Sequence, residues 1–172
     1  TADKLNCNNV LFVTKKKAIS SIQDDYDTLN PNYSITIINY ESLHKLTHNN
    51  YDLVVLDEAH CISSYPTPSQ RDKDLKAIIK NKYLILMSGT ATPESFSQYY
   101  HQLYISSNSP FKSYTTFYKW AKDFVNVKLK HLGYAKVNDY SDANYDSIMK
   151  YIKFLIITFT QKEACFAVEI NE

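Results

Sequence analysis

Tyr51-Asp52-Leu53-Val54-Val55-Leu56-Asp57-Glu58-Ala59-His60 is the stretch that decides the fold. Four apolar, mostly branched residues run without a polar break. They give way at once to two carboxylates, a small residue and a histidine. An apolar run without alternation reads as a strand covered on both faces, as in a parallel sheet. Open α/β sheets bind ligands in the crevice outside the carboxyl ends of their strands. Asp57 and Glu58 stand at such an end, where adjacent acids can hold Mg²⁺ and polarise a water beside a nucleotide phosphate. The plainer reading is a strand that runs into a solvated polar turn.

Working outward, the same grammar repeats. Val10-Leu11-Phe12-Val13 and Ile35-Thr36-Ile37-Ile38 read as strands before the central one, and Tyr83 to Met87 as one after it. Between them Ala18, Ile19, Ile22, Tyr26 and Leu29 recur at helical spacing, ended by Asn30-Pro31-Asn32. Leu43 and Leu46 mark a short helix, and Leu75, Ile78 and Ile79 another. Strands alternating with helices predict a parallel α/β sheet. Beyond it, Thr92 and Pro93 read as an N-cap and first helical residue. Phe96, Tyr99, Tyr100 and Leu103, then Phe117, Trp120, Ala121 and Phe124, form aromatic stripes whose ordinary role is core packing. Residues 126–153 read as an irregular and helical excursion, with Tyr145, Ile148, Met149 and Ile152 at helical spacing. Phe154 to Phe159 and Ala164 to Ile170 are β-like runs.

Composition narrows the function classes. With 172 residues and 44% hydrophobic content the chain can bury a core. A net charge of +1 leaves any nucleic-acid contact to a local patch. The 3 cysteines, Cys7, Cys61 and Cys165, form no CxxC pair, which argues against a zinc site and a disulfide framework and fits a reducing, intracellular setting. No apolar run approaches a membrane span. The chain has only 2 glycines, Gly89 and Gly133, so it contains no GxxxxGK[ST] loop to close around phosphate.

Four strand ends carry polar clusters in a set order: Thr14-Lys15-Lys16-Lys17, Asn39-Tyr40-Glu41, Asp57-Glu58-Ala59-His60 and Ser88-Gly89-Thr90. A parallel sheet delivers all of them to one edge. Taken together they resemble the first RecA-like (P-loop NTPase-like) lobe of a superfamily 2 helicase. Val13 to Lys17 resembles motif Ia, ITIINYESL from Ile35 motif Ib, DEAH from Asp57 motif II (the Walker B motif), and SGTATP from Ser88 motif III. The stretches Ser69-Gln70-Arg71-Asp72-Lys73, Tyr99 to Leu103 and Phe111 to Phe117 look like those of Swi/Snf-like DNA translocases.

The resemblance implies an α/β, RecA-like parallel sheet flanked by helices, incomplete at the N-terminus. Residues 1–172 would form one partial lobe, with the family's Walker A segment upstream of Thr1 and its second RecA-like lobe downstream. It implies ATP and Mg²⁺ as cofactors of the complete protein. Asp57 would hold Mg²⁺, Glu58 would orient and deprotonate the attacking water, and His60 would couple the nucleotide to motif III. Ser88, Gly89, Thr90 and Thr92 would relay that coupling. SGTATP is one residue longer than the family's usual string, so Thr90 and Thr92 both remain candidates. Thr14, Lys15, Lys16, Lys17, Asn39 and Tyr40 would touch a nucleic-acid backbone, DNA by the Swi/Snf likeness, with RNA as the alternative. Lys128, Lys130, His131 and Lys136, flanked by Leu129, Leu132 and Tyr134, form a second basic cluster whose plainer reading is a solvated face. Two other readings stand beside the translocase: a DEAH-type RNA helicase, and a non-catalytic binding module derived from a lobe. Richness in Asn, Lys, Tyr and Ile suggests an AT-rich genome, as in a virus.

Overall fold

A computed structural model describes residues 1–46, 50–159 and 163. The central run forms β3 (Leu53–Leu56), all four of its residues buried. Val54 and Leu56 enter one apolar cluster, with Leu11, Val13, Leu75 and Ile79. Leu53 and Val55 enter another, with Ala2, Cys7 and Val10. Burial on both faces is what the unbroken apolar run predicts.

The strands β1 (Asn9–Thr14), β2 (Ser34–Asn39), β3 and β4 (Tyr83–Leu86) form one sheet in the order β2-β1-β3-β4. Every pairing is parallel, with Thr14 opposite Asn39, Val13 opposite Leu56, and Leu56 opposite Leu86. The chain steps from β1 to β2 on one side, then crosses to place β3 on the other side of β1. The order therefore reverses between β1 and β3, and such a switch point opens a crevice at the carboxyl ends. Thr14 and Asp57 border it. Helix α1 (Ile19–Leu29) joins β1 to β2, with Leu29 exposed instead of completing the expected apolar stripe. Helix α2 (Gln70–Ile79) starts on a capping box, in which Ser69 and Asp72 satisfy each other's backbone N–H groups.

A second core lies beyond β4. Helices α3 (Gln98–Tyr104), α4 (Phe117–Phe124) and α5 (Tyr145–Ile152) pack around Tyr100, Phe111, Phe117, Trp120, Phe124, Ile148 and Ile152. The α4 stripe is buried as its spacing predicts. His101 is stacked on Phe117, and its Nε2–H donates to the Pro66 carbonyl at 3.1 Å.

Three further expectations change, and a fourth falls outside the described residues. Thr92 does not cap a helix at Pro93; α3 begins at Gln98, after Ser97. The intervening backbone is claimed by side chains: Gln98 Oε1 accepts from the N–H groups of Glu94 and Ser95, and Ser95 Oγ accepts from Ser97 N–H. Residues 128–139, within the expected irregular excursion, form an antiparallel hairpin, β5 (Lys128–Leu132) and β6 (Ala135–Asp139). Phe154 to Phe159 forms no strand; a 3₁₀ turn covers Lys153–Leu155, and Phe154, Ile157 and Phe159 are exposed. The run Ala164 to Ile170 lies outside the described residues.

Two outcomes follow from this packing. Trp120→Ala removes a fully buried ring from the second core, and urea unfolding should show a loss of about 3–5 kcal/mol. Burial holds His101 below the ordinary imidazole range, so the unfolded chain binds its proton more readily. Stability should fall as pH drops from about 6.5 through the lower folded value. Thermal melts should show that fall, and it should shrink in His101→Gln.

Candidate functional site

The carboxyl ends of β1, β3 and β4 meet because the backbone ladder continues past the strands. Asp57 N–H donates to the Val13 carbonyl at 2.8 Å, Met87 N–H to the Leu56 carbonyl at 2.8 Å, and Ala59 N–H to the Met87 carbonyl at 2.9 Å. Between these bonds Glu58 turns into the left-handed region, φ 52° and ψ 48°. A non-glycine residue there is strained and persists only where its neighbours hold it. The turn carries the chain from β3 into a 3₁₀ segment, Ala59–Ile62.

Each acid has its own partners. Asp57 Oδ2 accepts a 2.7 Å hydrogen bond from the Thr14 hydroxyl, and its Oδ1 has no partner among the described residues. Glu58 Oε1 lies 3.2 Å from Lys15 Nζ, and Glu58 Oε2 lies 3.2 Å from His60 Nδ1. The Lys15 pair is 40% and 35% exposed. Pairs this wet contribute little stability, so the contact acts by aiming Glu58.

His60 Nδ1 is also 3.1 Å from Ser88 Oγ. A carboxylate only accepts hydrogen bonds, and the Ser88 hydroxyl gives its single hydrogen to the Thr90 carbonyl at 2.9 Å. With the Ser88 hydrogen so committed, His60 Nδ1–H donates to Ser88 Oγ, and the same nitrogen lies within ion-pair reach of Glu58 Oε2. Ser88 Oγ also accepts from Thr90 N–H at 3.2 Å. One chain of contacts thus runs from Lys15 through Glu58 and His60 to Ser88 and Thr90. It links the ends of β1, β3 and β4.

Other residues read from the sequence fall differently. Thr14 is buried and braces Asp57. Tyr40 is 3% exposed, and its hydroxyl donates to the Asp57 carbonyl at 2.6 Å. The sequence points Tyr40 at nucleic acid; the structure turns it inward, because the 3₁₀ turn Tyr40–Lys45 packs its ring beneath the end of β3. That burial, with Asp57 and Glu58 nearby, raises the phenol far above its ordinary range, so Tyr40 stays a donor. Asn39 Oδ1 is likewise buried, with no hydrogen-bond partner among the described residues. Lys16 and Lys17 are exposed and make no ion pair among the described residues. Thr92 hydrogen-bonds the Tyr99 hydroxyl, apart from the His60 cluster. Gly89 has ordinary backbone geometry, and a Cβ there would meet nothing within 4 Å, so nothing local demands glycine.

Sequence reasoning misses Gln102, whose Nε2 donates to the Ala91 carbonyl and ties the loop after β4 to α3. It lies within the Swi/Snf-like stretch Tyr99 to Leu103, but nothing in that stretch marks it for this contact.

The donor set suits a hard cation. One carboxylate with an uncommitted oxygen, beside a hydroxyl, is what Mg²⁺ takes when substrate phosphates and water complete its shell. No group of three or more metal-ligating side chains occurs among the described residues, so this is a partial site.

Residues 3–163 match the SNF2-related domain family. The chain belongs to that family. No curated protein matches it. Membership makes the chain a Swi/Snf-like, superfamily 2 helicase-like domain, of a kind that generally uses ATP and Mg²⁺. Among the described residues no helix is long and apolar enough to cross a membrane.

The bond from Tyr40 gives a direct check on the site's scaffold. Tyr40→Phe leaves the part-buried Asp57 carbonyl without this donor, and urea unfolding should show a loss of about 1 kcal/mol.

Proposed function

We propose that residues 1–172 are part of the first lobe of an ATP-driven nucleic-acid translocase. Motifs Ia, Ib, II and III would be the strand ends described above. The observation that carries this is the position of His60, whose Nδ1 hydrogen-bonds Ser88 at the end of β4 and contacts Glu58 at the end of β3. A motor must pass the state of its nucleotide site to a second surface, and this contact spans two strand ends.

In that reading Asp57, braced by Thr14, would hold the metal through its uncommitted oxygen. A bound Mg²⁺ would neutralise charge on the phosphates. Glu58 would accept the proton of the attacking water. Both its oxygens are engaged by Lys15 and His60 here, so it must yield at least one contact before acting as a base. His60, through Ser88 and Thr90, would sense that release. Lys16 and Lys17, exposed beside the crevice, would contact the nucleic-acid backbone without reading bases. DNA is the favoured track, by the Swi/Snf likeness.

The phosphate cradle would come from a Walker A segment outside residues 1–172. What supports this is β4, an apolar strand with no partner on its outer edge among the described residues. An unprotected apolar edge invites another strand. It faces a cleft of about 830 Å³, lined by Tyr83 to Met87 on one side and Leu155 to Thr158 on the other. A parallel strand seated there would end beside Ser88. The arginine finger would come from the second lobe.

The test is ATP turnover by the protein extended to its natural ends, without nucleic acid and with duplex DNA, single-stranded DNA and RNA. Duplex DNA should stimulate turnover most, and Glu58→Gln should lower it by roughly 10²–10⁴-fold. Residues 1–172 alone should show no measurable turnover. Stimulation by RNA alone would give the RNA-helicase reading. A folded extended protein that never turns over ATP would leave a binding module.

A further inference from the structure

The β5–β6 hairpin has almost nothing to bury among its described side chains. Lys128, Leu129, Lys130 and His131 are exposed, as are Gly133 to Asn138. An isolated two-stranded ribbon is marginal in water, so something other than a core must hold it. Its root supplies that hold. Asn126 N–H donates to the Asp142 carbonyl at 2.8 Å, and Asn144 N–H to the Phe124 carbonyl at 2.8 Å, which ties the root to α4. Lys128 Nζ lies 2.7 Å from Asp142 Oδ2, and Lys130 Nζ lies 2.6 Å from Asp139 Oδ2. Asp139 Oδ1 accepts from Ser141 N–H at 3.0 Å. These bonds depress both carboxyls, Asp139 to about 2, so the root stays charged and paired at neutral pH.

The tip is built differently. Leu132 and Ala135 close a two-residue turn whose first central residue, Gly133, has φ +59°. Glycine at that position is the requirement of a type II′ turn. The second central residue, Tyr134, is fully exposed. One pair behind it, His131 stands opposite Lys136. Neither has an acidic partner among the described residues, and two basic groups directly opposed do not stabilise a ribbon. Charge is thus balanced at the root and left positive at the tip, around an aromatic ring with both faces open.

We propose that this hairpin is a nucleic-acid-binding arm whose Tyr134 stacks on an unpaired base while Lys136 and His131 face the flanking phosphates. The charge and the ring together fix the partner chemistry. Phosphate answers the Lys136 cation and a hydrogen bond from His131, and a base answers a flat exposed ring. Bases inside a duplex present no open face, so the arm selects single strands or duplex ends. The proposal rests on the nucleic-acid reading above. It adds a second contact, on a different element, with a different preference.

The test is fluorescence anisotropy of residues 1–172 with labelled oligothymidine and with a hairpin-capped duplex lacking free ends, over a series of salt concentrations. The variants are Tyr134→Ala, Tyr134→Phe, Lys136→Ala and, at the strand-end track, Lys16→Ala with Lys17→Ala. All these side chains are exposed, and circular dichroism checks that each variant folds. Tyr134→Ala should weaken oligothymidine binding at least roughly fivefold, Tyr134→Phe should retain it, and the capped duplex should be unaffected by either. Lys136→Ala should lower the slope of log affinity against log salt by about 0.7. Oligothymidine binding that is unchanged in Tyr134→Ala overturns the arm, and loss in Lys16→Ala with Lys17→Ala in that same assay leaves the strand-end track standing. An equal loss on the capped duplex overturns stacking on unpaired bases. Binding to neither nucleic acid overturns the arm and the nucleic-acid reading together.

Discussion

The ladder that continues past β3 on both sides is the constraint on which the site depends. Asp57 is bonded back to β1 through Val13, and Ala59 is bonded across to Met87 at the end of β4. Between these tied neighbours Glu58 takes the left-handed turn. That turn brings its carboxylate between Lys15 and His60. The position of the acid is set by three strands together, and a side chain of moderate exposure is placed without any large buried electrostatic term.

The division of labour beneath this surface follows from two separate cores. The sheet core, with Leu11, Val54, Leu56 and Leu75, fixes where the strand ends emerge. The aromatic core, with Tyr100, Phe117, Trp120 and Phe124, carries α3, α4 and α5. The two are linked near the site by side-chain bonds rather than by continuous apolar packing. Gln98 Nε2 donates to Ser63 Oγ at 3.0 Å, and His101 bonds the Pro66 carbonyl. Gln102 holds the loop that follows Ser88. The loop after Ser88 is thus tied to α3 by a side-chain bond.

How much of this was legible in the sequence depends on the kind of interaction. The strand β3 was legible because burial on both faces demands an unbroken apolar run, and α4 because a helix buries one stripe. The meeting of Thr14, Asp57 and Ser88 was legible from topology, since parallel strands deliver their ends to one edge. The inward turn of Tyr40 was not, because an aromatic residue after a strand reads equally as a contact or as core. The delayed start of α3 was not, because Gln98 and Ser95 compete for backbone groups in a way helix propensity does not register. The hairpin was obscured because its strands mix charged and apolar residues with no buried face among the described side chains, and only Gly133-Tyr134 marks the turn.

His60 Nδ1 bonds the serine of β4 and sits against the acid of β3, and the reading of the site rests on that contact. The direct measurement is ¹⁵N NMR of the His60 imidazole in its neutral form. The Nδ1–H tautomer is expected, with Nε2 unprotonated, and a shift of the Nδ1 signal in Ser88→Ala. An Nε2–H tautomer, with Nδ1 insensitive to Ser88, would contradict it.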